Sequence, residues 1–168
     1  NFLPKIQIKS RDLPQINVNA SIKCQVREMY NNIKILPASE RNFDRFGPIE
    51  FNRTGWRHLT AHKKNRLQIL NSLMLLYTVP IILRGPATYQ FSGAAQIKHS
   101  RKNGTELMSI SDYIAIKARI SFPYRDESII RVIILRTRTY SNQIYAGVRY
   151  IFYSINEGRR GQFKLLYK

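Results

Sequence analysis

Residues 54–66 read Thr-Gly-Trp-Arg-His-Leu-Thr-Ala-His-Lys-Lys-Asn-Arg and hold two of the three histidines of the chain, His58 and His62, beside Arg57, Lys63, Lys64 and Arg66. Histidine is the side chain whose ordinary pKa lies nearest neutral pH. Two imidazoles in a cationic setting suit chemistry on a phosphodiester, which needs a base, an acid and charge to stabilise the transition state. RNA supplies its own nucleophile, the 2′-hydroxyl, so no metal is required. Residues 51–168 offer Glu106, Asp112, Asp126, Glu127 and Glu157 as their carboxylates, with no cluster of the kind that binds two metal ions. Two-metal DNA cleavage is therefore disfavoured.

The spacing of His58 and His62 also matches half of a zinc-binding H-x-x-x-H helix. The metalloprotease form needs Glu after the first histidine, where this chain has Leu59, and no third ligand is evident. No metal and no cofactor is expected. The plainer alternative is a pair of surface histidines on a basic helix. Arg66 stands four residues beyond His62, on the same face of one continuous helix, where its forked guanidinium could clamp a phosphate. Lys63 could act there by charge alone.

Two later segments add candidates. Arg136-Thr137-Arg138-Thr139-Tyr140 alternates cations and hydroxyls, so in a strand Arg136 and Arg138 share a face. In the next strand, alternation puts Tyr150, Phe152 and Ser154 on one face and Ile151, Tyr153 and Ile155 on the other. Aromatic rings beside cations can stack bases and hold phosphates. Tyr153 and Ser154 stand near the strand end, where side chains reach a cleft. Lys98-His99-Ser100-Arg101-Lys102 forms a further basic cluster in or beside a turn.

The elements that must carry these residues follow from pattern. The first 14 residues read as a strand or extended arm. Asn19 or Ser21 caps a helix to about Asn32, with Ile22, Val26, Met29, Tyr30 and Ile33 on one face. Cys24 is expected as a small core residue of that helix. Residues 37–48 are a loop by composition and mark a boundary between an N-terminal helical or extended segment, 1–49, and the remainder, 50–168. A second helix is expected from about His58 to Tyr77, with Leu59, Leu67, Leu70, Leu73, Met74 and Tyr77 in the core, stopped by Pro80, Gly85 and Pro86. Strands follow at 88–99, 113–122, 128–138, 145–155 and 162–167, the first pair joined by an Asn103-Gly104 turn. Helices first and strands after predict an α+β fold, with N-terminal helices on one face of a curved antiparallel sheet of about four to five strands.

Composition narrows the partners. Hydrophobic residues make up 43% of the 168, enough for a core, so a net charge of +18 is a property of a folded body. Residues 1–50 carry eight Lys/Arg against five Asp/Glu, and residues 51–168 carry twenty against five. Such a field attracts polyanions in a salt-dependent way. A single cysteine excludes a disulfide-stapled scaffold. The longest apolar stretch, Leu73–Leu83, is interrupted by Thr78 and Pro80 and is too short for a membrane span. The start at Asn1, without methionine or signal peptide, fits a piece cut from a longer protein.

Taken in order, the Thr54–Arg66 segment, the Pro-containing connection Val79–Pro86 and the strands Ile130–Leu135 and Tyr150–Ile155 resemble the barnase/EndoU/colicin/RelE-type ribonuclease superfamily. The likeness covers roughly residues 50–168 and is nearest to phage-associated members and to toxin domains at the C-termini of contact-dependent growth inhibition proteins. It implies a metal-independent toxin ribonuclease that cuts tRNA or rRNA and serves bacterial competition. It also implies an acidic immunity protein as partner, and delivery from the producing cell surface into the cytoplasm of the target cell. Residues 1–49 would be a linker or membrane-entry portion. Carried over by position, His58 or His62 matches the histidine of the helix, Arg66 the cation after it, and Tyr153 or Ser154 the polar group on the late strand. His62 would be base or acid and His58 its complement. Lys63, Lys98, His99, Arg136 and Arg138 would hold the RNA. The competing expectation is a basic RNA-binding or nucleic-acid-packaging protein without chemistry.

Overall fold

The computed structural model describes residues 3–43, 46–61 and 65–158. His62, Lys63 and the strand expected at 162–167 lie outside the described residues. Seven strands and four α-helices make an α+β fold: β1 Lys5–Gln7, α1 Ile22–Lys34, β2 Asn42–Phe43, β3 Gly47–Pro48, α2 Arg53–Leu59, α3 Arg66–Leu75, α4 Thr78–Arg84, β4 Thr88–Lys102, β5 Thr105–Ser121, β6 Ser128–Ser141 and β7 Ile144–Gly158. That is more strands than the four to five expected, because β2 and β3 form a small ribbon of their own and β1 joins the main sheet. α1 lies between β1 and β2, and α2, α3 and α4 lie between β3 and β4, so the helices are not ahead of all the strands. Among the described residues, no helix is long and apolar enough to cross a membrane.

β5 is the axis of the main sheet. It pairs antiparallel with β6 on one side, and β6 pairs antiparallel with β7. On its other side β5 takes β4 antiparallel and then β1 in parallel, Ile6 opposite Ile120, which makes the sheet mixed. The two long hairpins close on two-residue turns with both φ angles positive, Asn103-Gly104 (52° and 75°) and Asn142-Gln143 (47° and 67°). Backbone of this kind follows the twist of the strands it joins. Gly104 adopts it without steric cost. The Asn142 side chain steadies the second turn by accepting from the Glu106 N–H at 3.0 Å.

Helix α1 starts where Ser21 Oγ accepts from the Cys24 N–H. Its buried residues, Val26, Tyr30 and Ile33, recur at helical spacing. Cys24, expected in the core, is exposed, because it projects away from that stripe. The helix expected from His58 to Tyr77 is instead divided between the end of α2 and α3, with Tyr77 just ahead of α4. α2 ends at Thr60, whose N–H and hydroxyl both bond to the Trp56 carbonyl. α3 takes a separate path, so Leu67 and Leu70, expected in the core, are exposed, while Leu59, Leu73 and Tyr77 are buried. Pro80 does not stop a helix. It sits in the first turn of α4, where a missing N–H costs nothing.

One apolar cluster joins Val26, Tyr30, Ile33, Leu59, Leu73, Val79 and Ile82 of the helices to Ile114, Ile116, Ala118, Ile120, Ile130, Val132, Ile134, Phe152 and Ile155 of the strands. In the ladder these nine strand residues share one face. The same face continues past the helices into the distal halves of β4–β7, where polar groups replace aliphatics. There Asp112 lies opposite Arg136 and takes a two-pronged pair from its guanidinium, with Arg138 at 3.8 Å. Arg136 also stacks over Phe91, 4.4 Å from the ring centroid. Hydrogen bonding from Arg136, and then its charge, hold the Asp112 carboxyl below its ordinary pKa despite burial. A depressed carboxylate pKa stabilises the fold fully above about pH 4, the ordinary Asp value, and loses that contribution as pH falls through the folded value. Asp112→Asn should lower unfolding stability by about 1–3 kcal/mol, the cost of leaving a largely buried charged donor under-satisfied. Urea unfolding at pH 7 and pH 3 checks it. The difference from the parent chain should shrink at the lower pH.

Candidate functional site

The site begins at the outer edge of β7. Glu50 forms a parallel bridge with Ile151: its N–H donates to the Tyr150 carbonyl at 2.7 Å, and its carbonyl accepts from the Phe152 N–H at 2.8 Å. Arg149 clamps its carboxylate at 2.9 and 3.0 Å. The chain turns at Asn52, whose Oδ1 accepts from the Thr54 N–H at 2.9 Å and caps α2, and whose carbonyl accepts from the Tyr30 hydroxyl at 2.6 Å. α2 therefore starts fixed to both β7 and α1.

Gly55 then lets α2 press onto β7. A Cβ at this position would stand 2.5 Å from the Phe152 carbonyl oxygen, 2.6 Å from the Tyr30 hydroxyl and 2.9 Å from the Phe152 ring. Three residues later, His58 stacks on Tyr153, with ring centroids 3.9 Å apart and planes 28° apart. Tyr153 in turn tilts against Tyr113 at 5.1 Å. Tyr153 owes its position to a bulge. The ladder pairs Ile134 with Phe152 and Ile133 with Ser154, so Tyr153 is an extra, unpaired residue. This corrects the expected alternation: Tyr150, Phe152 and Ile155 share the face of the helical core, and Ser154 shares the other face with Ile151. Burial, reinforced by the Tyr113 hydroxyl, raises the Tyr153 phenol above its ordinary pKa, so it keeps its proton at neutral pH.

Tyr113 lies on the face turned away from the helical core, and that face carries a second group. Lys117, Arg131 and Asn156 stand opposite one another across β5, β6 and β7. The Lys117 ammonium donates to Gln90 Oε1 at 3.2 Å, and Arg131 Nε donates to Asn156 Oδ1 at 3.0 Å. Lys117 is buried, at 2% exposure, and burial together with the charge of Arg131 pulls its pKa down. Beyond this row, Arg119, Asp126, Glu127, Ser128, Ile129 and Gly158 line a hollow of about 700 Å³. Within it Glu127 pairs with Lys5 at 2.9 Å and with Arg119 at 3.1 Å. Four residues of strand separate Tyr113 from Lys117, about 13 Å at the usual rise. The face thus presents stacked rings at one end and cations at the other.

Of the expected site residues, the structure brings His58 and Tyr153 into contact and buries Ser154 on the same face of the sheet as Lys117. Arg66 opens α3 and does not continue the helix of His58. Arg136 and Arg138 lie on the opposite face, bound to Asp112. Lys98 and His99 are exposed on the distal part of β4, opposite Ser109 and Met108. Lys117, Arg131 and Tyr113 were not anticipated. The one available signal was parity: Tyr113, Lys117 and Arg119 alternate with Ile114, Ile116, Ala118 and Ile120 and so fall on the non-core side of one strand. Among the described residues, no three histidine, cysteine or carboxylate side chains gather as a metal centre requires.

Replacing Gly55 with alanine should lift α2 from β7 and separate the rings. The expected cost is about 1–3 kcal/mol, the usual range for overpacking. In proton NMR the His58 ring resonances, shifted by the Tyr153 ring current, should move toward their free positions, while Thr54→Ala leaves them in place. Comparison with protein-family models, with curated proteins and with solved structures finds no match for this chain.

Proposed function

We propose that this protein is a metal-independent endoribonuclease of the toxin type that cuts structured cellular RNA through its 2′-hydroxyl. The observation that carries the reading is the contact of His58 with Tyr153 on the sheet face turned away from the helical core, the face that also carries Lys117 and Arg131. In this scheme His58 takes the proton of the 2′-hydroxyl as that oxygen attacks phosphorus. The bond from phosphorus to the 5′-oxygen breaks, the leaving oxygen takes a proton from an acid, and a 2′,3′-cyclic phosphate remains. The raised pKa keeps the Tyr153 phenol protonated, so it can donate a hydrogen bond to the phosphorane oxygens. His62 is the candidate acid. Arg131 holds a flanking phosphate with the buried Lys117 adding charge behind it, and the rings stack a neighbouring base. With a net charge of +18, a neutralising protein partner would be acidic.

A binding-only reading draws on the exposed cations Lys98, Arg101 and Lys102 along β4, which suit a nucleic-acid surface without chemistry. Cleavage in EDTA separates the two. The purified chain should cut total cellular RNA with a chelator present, leaving cyclic phosphate ends. His58→Ala should lower the rate at least about a hundredfold, the usual size of an acid–base contribution. Tyr153→Phe should lower kcat with little change in KM, and Lys117→Met should raise KM. RNA that stays intact while still bound, with the same affinity for both His58 forms, leaves the binding-only reading.

A further inference from the structure

A second hollow, of about 530 Å³, lies between α1 and α2. Its walls carry Arg27 and Lys34 from α1 and Arg53 and Arg57 from α2, with Trp56 and the edge of Tyr30 between them, and no carboxylate. Helical spacing accounts for the gathering: Arg27 and Lys34 are two turns apart on one face of α1, and Arg53, Trp56 and Arg57 share one face of α2. His58 leaves α2 on the opposite side, so this hollow is separate from the stacked-ring site.

Among the described residues, none of these four cations has a carboxylate within ion-pair distance. Like charges gathered without a counter-charge are unfavourable, and an anion entering between them relieves that repulsion. The size falls in the range of small-molecule sites. The lining specifies the ligand further. The Arg27 guanidinium lies over the Trp56 ring, 5.8 Å from its centroid, so a cation and an indole meet in one wall of the hollow. The Tyr30 hydroxyl is committed to the Asn52 carbonyl, so it braces the wall. A planar base can lie against the indole while forked guanidinium groups take the phosphate.

We infer that the hollow between α1 and α2 binds a phosphate-bearing nucleotide, either free or as one unit of an RNA strand, with its base against Trp56 and its phosphate among Arg27, Arg53 and Arg57. The inference does not rest on ribonuclease activity.

Trp56 is the only tryptophan of the chain, so its fluorescence reports on this site. The titration uses the His58→Ala chain, in which any strand added stays intact. Adenosine 5′-monophosphate should quench the emission saturably, and adenosine should bind at least about tenfold more weakly. Arg27→Ala and Arg57→Ala should each weaken the monophosphate about tenfold or more, as loss of a charge-assisted bond does. Arg84→Ala, the loss of an exposed cation on α4, should not. A short RNA oligonucleotide that displaces the monophosphate at lower concentration identifies the strand as the source, and failure to displace it identifies the free nucleotide. An absent or unsaturable response to the monophosphate, equal affinity for adenosine, or equal effects of Arg27→Ala, Arg57→Ala and Arg84→Ala would overturn the proposal. Intact RNA in the cleavage assay beside a saturable titration here would remove the enzyme reading and leave this one standing.

Discussion

The contact of α2 with β7 at Gly55 is the constraint on which the rest of the site depends. Backbone of the helix meets the carbonyl and ring of Phe152 with no room for a methyl group. That approach sets the height of α2 above the sheet, and one turn later it fixes the distance from His58 to Tyr153. It also fixes the other side of the helix, because the Tyr30 hydroxyl lies against the same glycine and holds α1 at the Asn52 carbonyl. The cationic hollow between α1 and α2 and the ring stack thus refer to one short helix with two anchored ends. A seven-residue helix has little stability of its own, so tertiary packing must supply it.

The sheet divides labour by parity. Residues of one parity on β5 and β6 supply Ile114, Ile116, Ala118, Ile130, Val132 and Ile134 to the core. The other parity carries Tyr113, Lys117 and Arg131. Burying Lys117 costs solvation, and the hydrogen bond to Gln90 offsets part of it. Arg136 meets the same problem differently on the core face. Asp112 neutralises it, and Phe91 covers it, so its charge serves cohesion of the long hairpins.

Much of the fold was legible in the chain. Val26, Tyr30 and Ile33 announced the core stripe of α1, Ser21 its cap, and Asn103-Gly104 the turn between β4 and β5. The apolar run 128–135 announced a central strand. These signals are local: each depends on residues within a turn or two of one another. The expected helix from His58 to Tyr77 failed because its pattern runs from the end of α2 through α3 to the residue before α4, and the Asn65 side chain, accepting from the Leu67 N–H, starts α3 afresh. Leu67 and Leu70 kept the spacing of a core face while the helix that carried them lay elsewhere.

The sequence alone determined that this is a basic α+β protein whose histidine pair and late aromatic strand are the places to look for chemistry. Residue types, charge and periodicity are carried by the chain itself, and no partner is needed to read them. Tertiary structure decided which of those residues meet. Strict alternation put Tyr153 with Ile155, and a single extra residue in β7 turned it toward Tyr113 and His58 instead. Lys117 became a site residue because β6 laid Arg131 opposite it. Both outcomes depend on strand register, and register is set by contacts between segments distant in sequence, which no local pattern records.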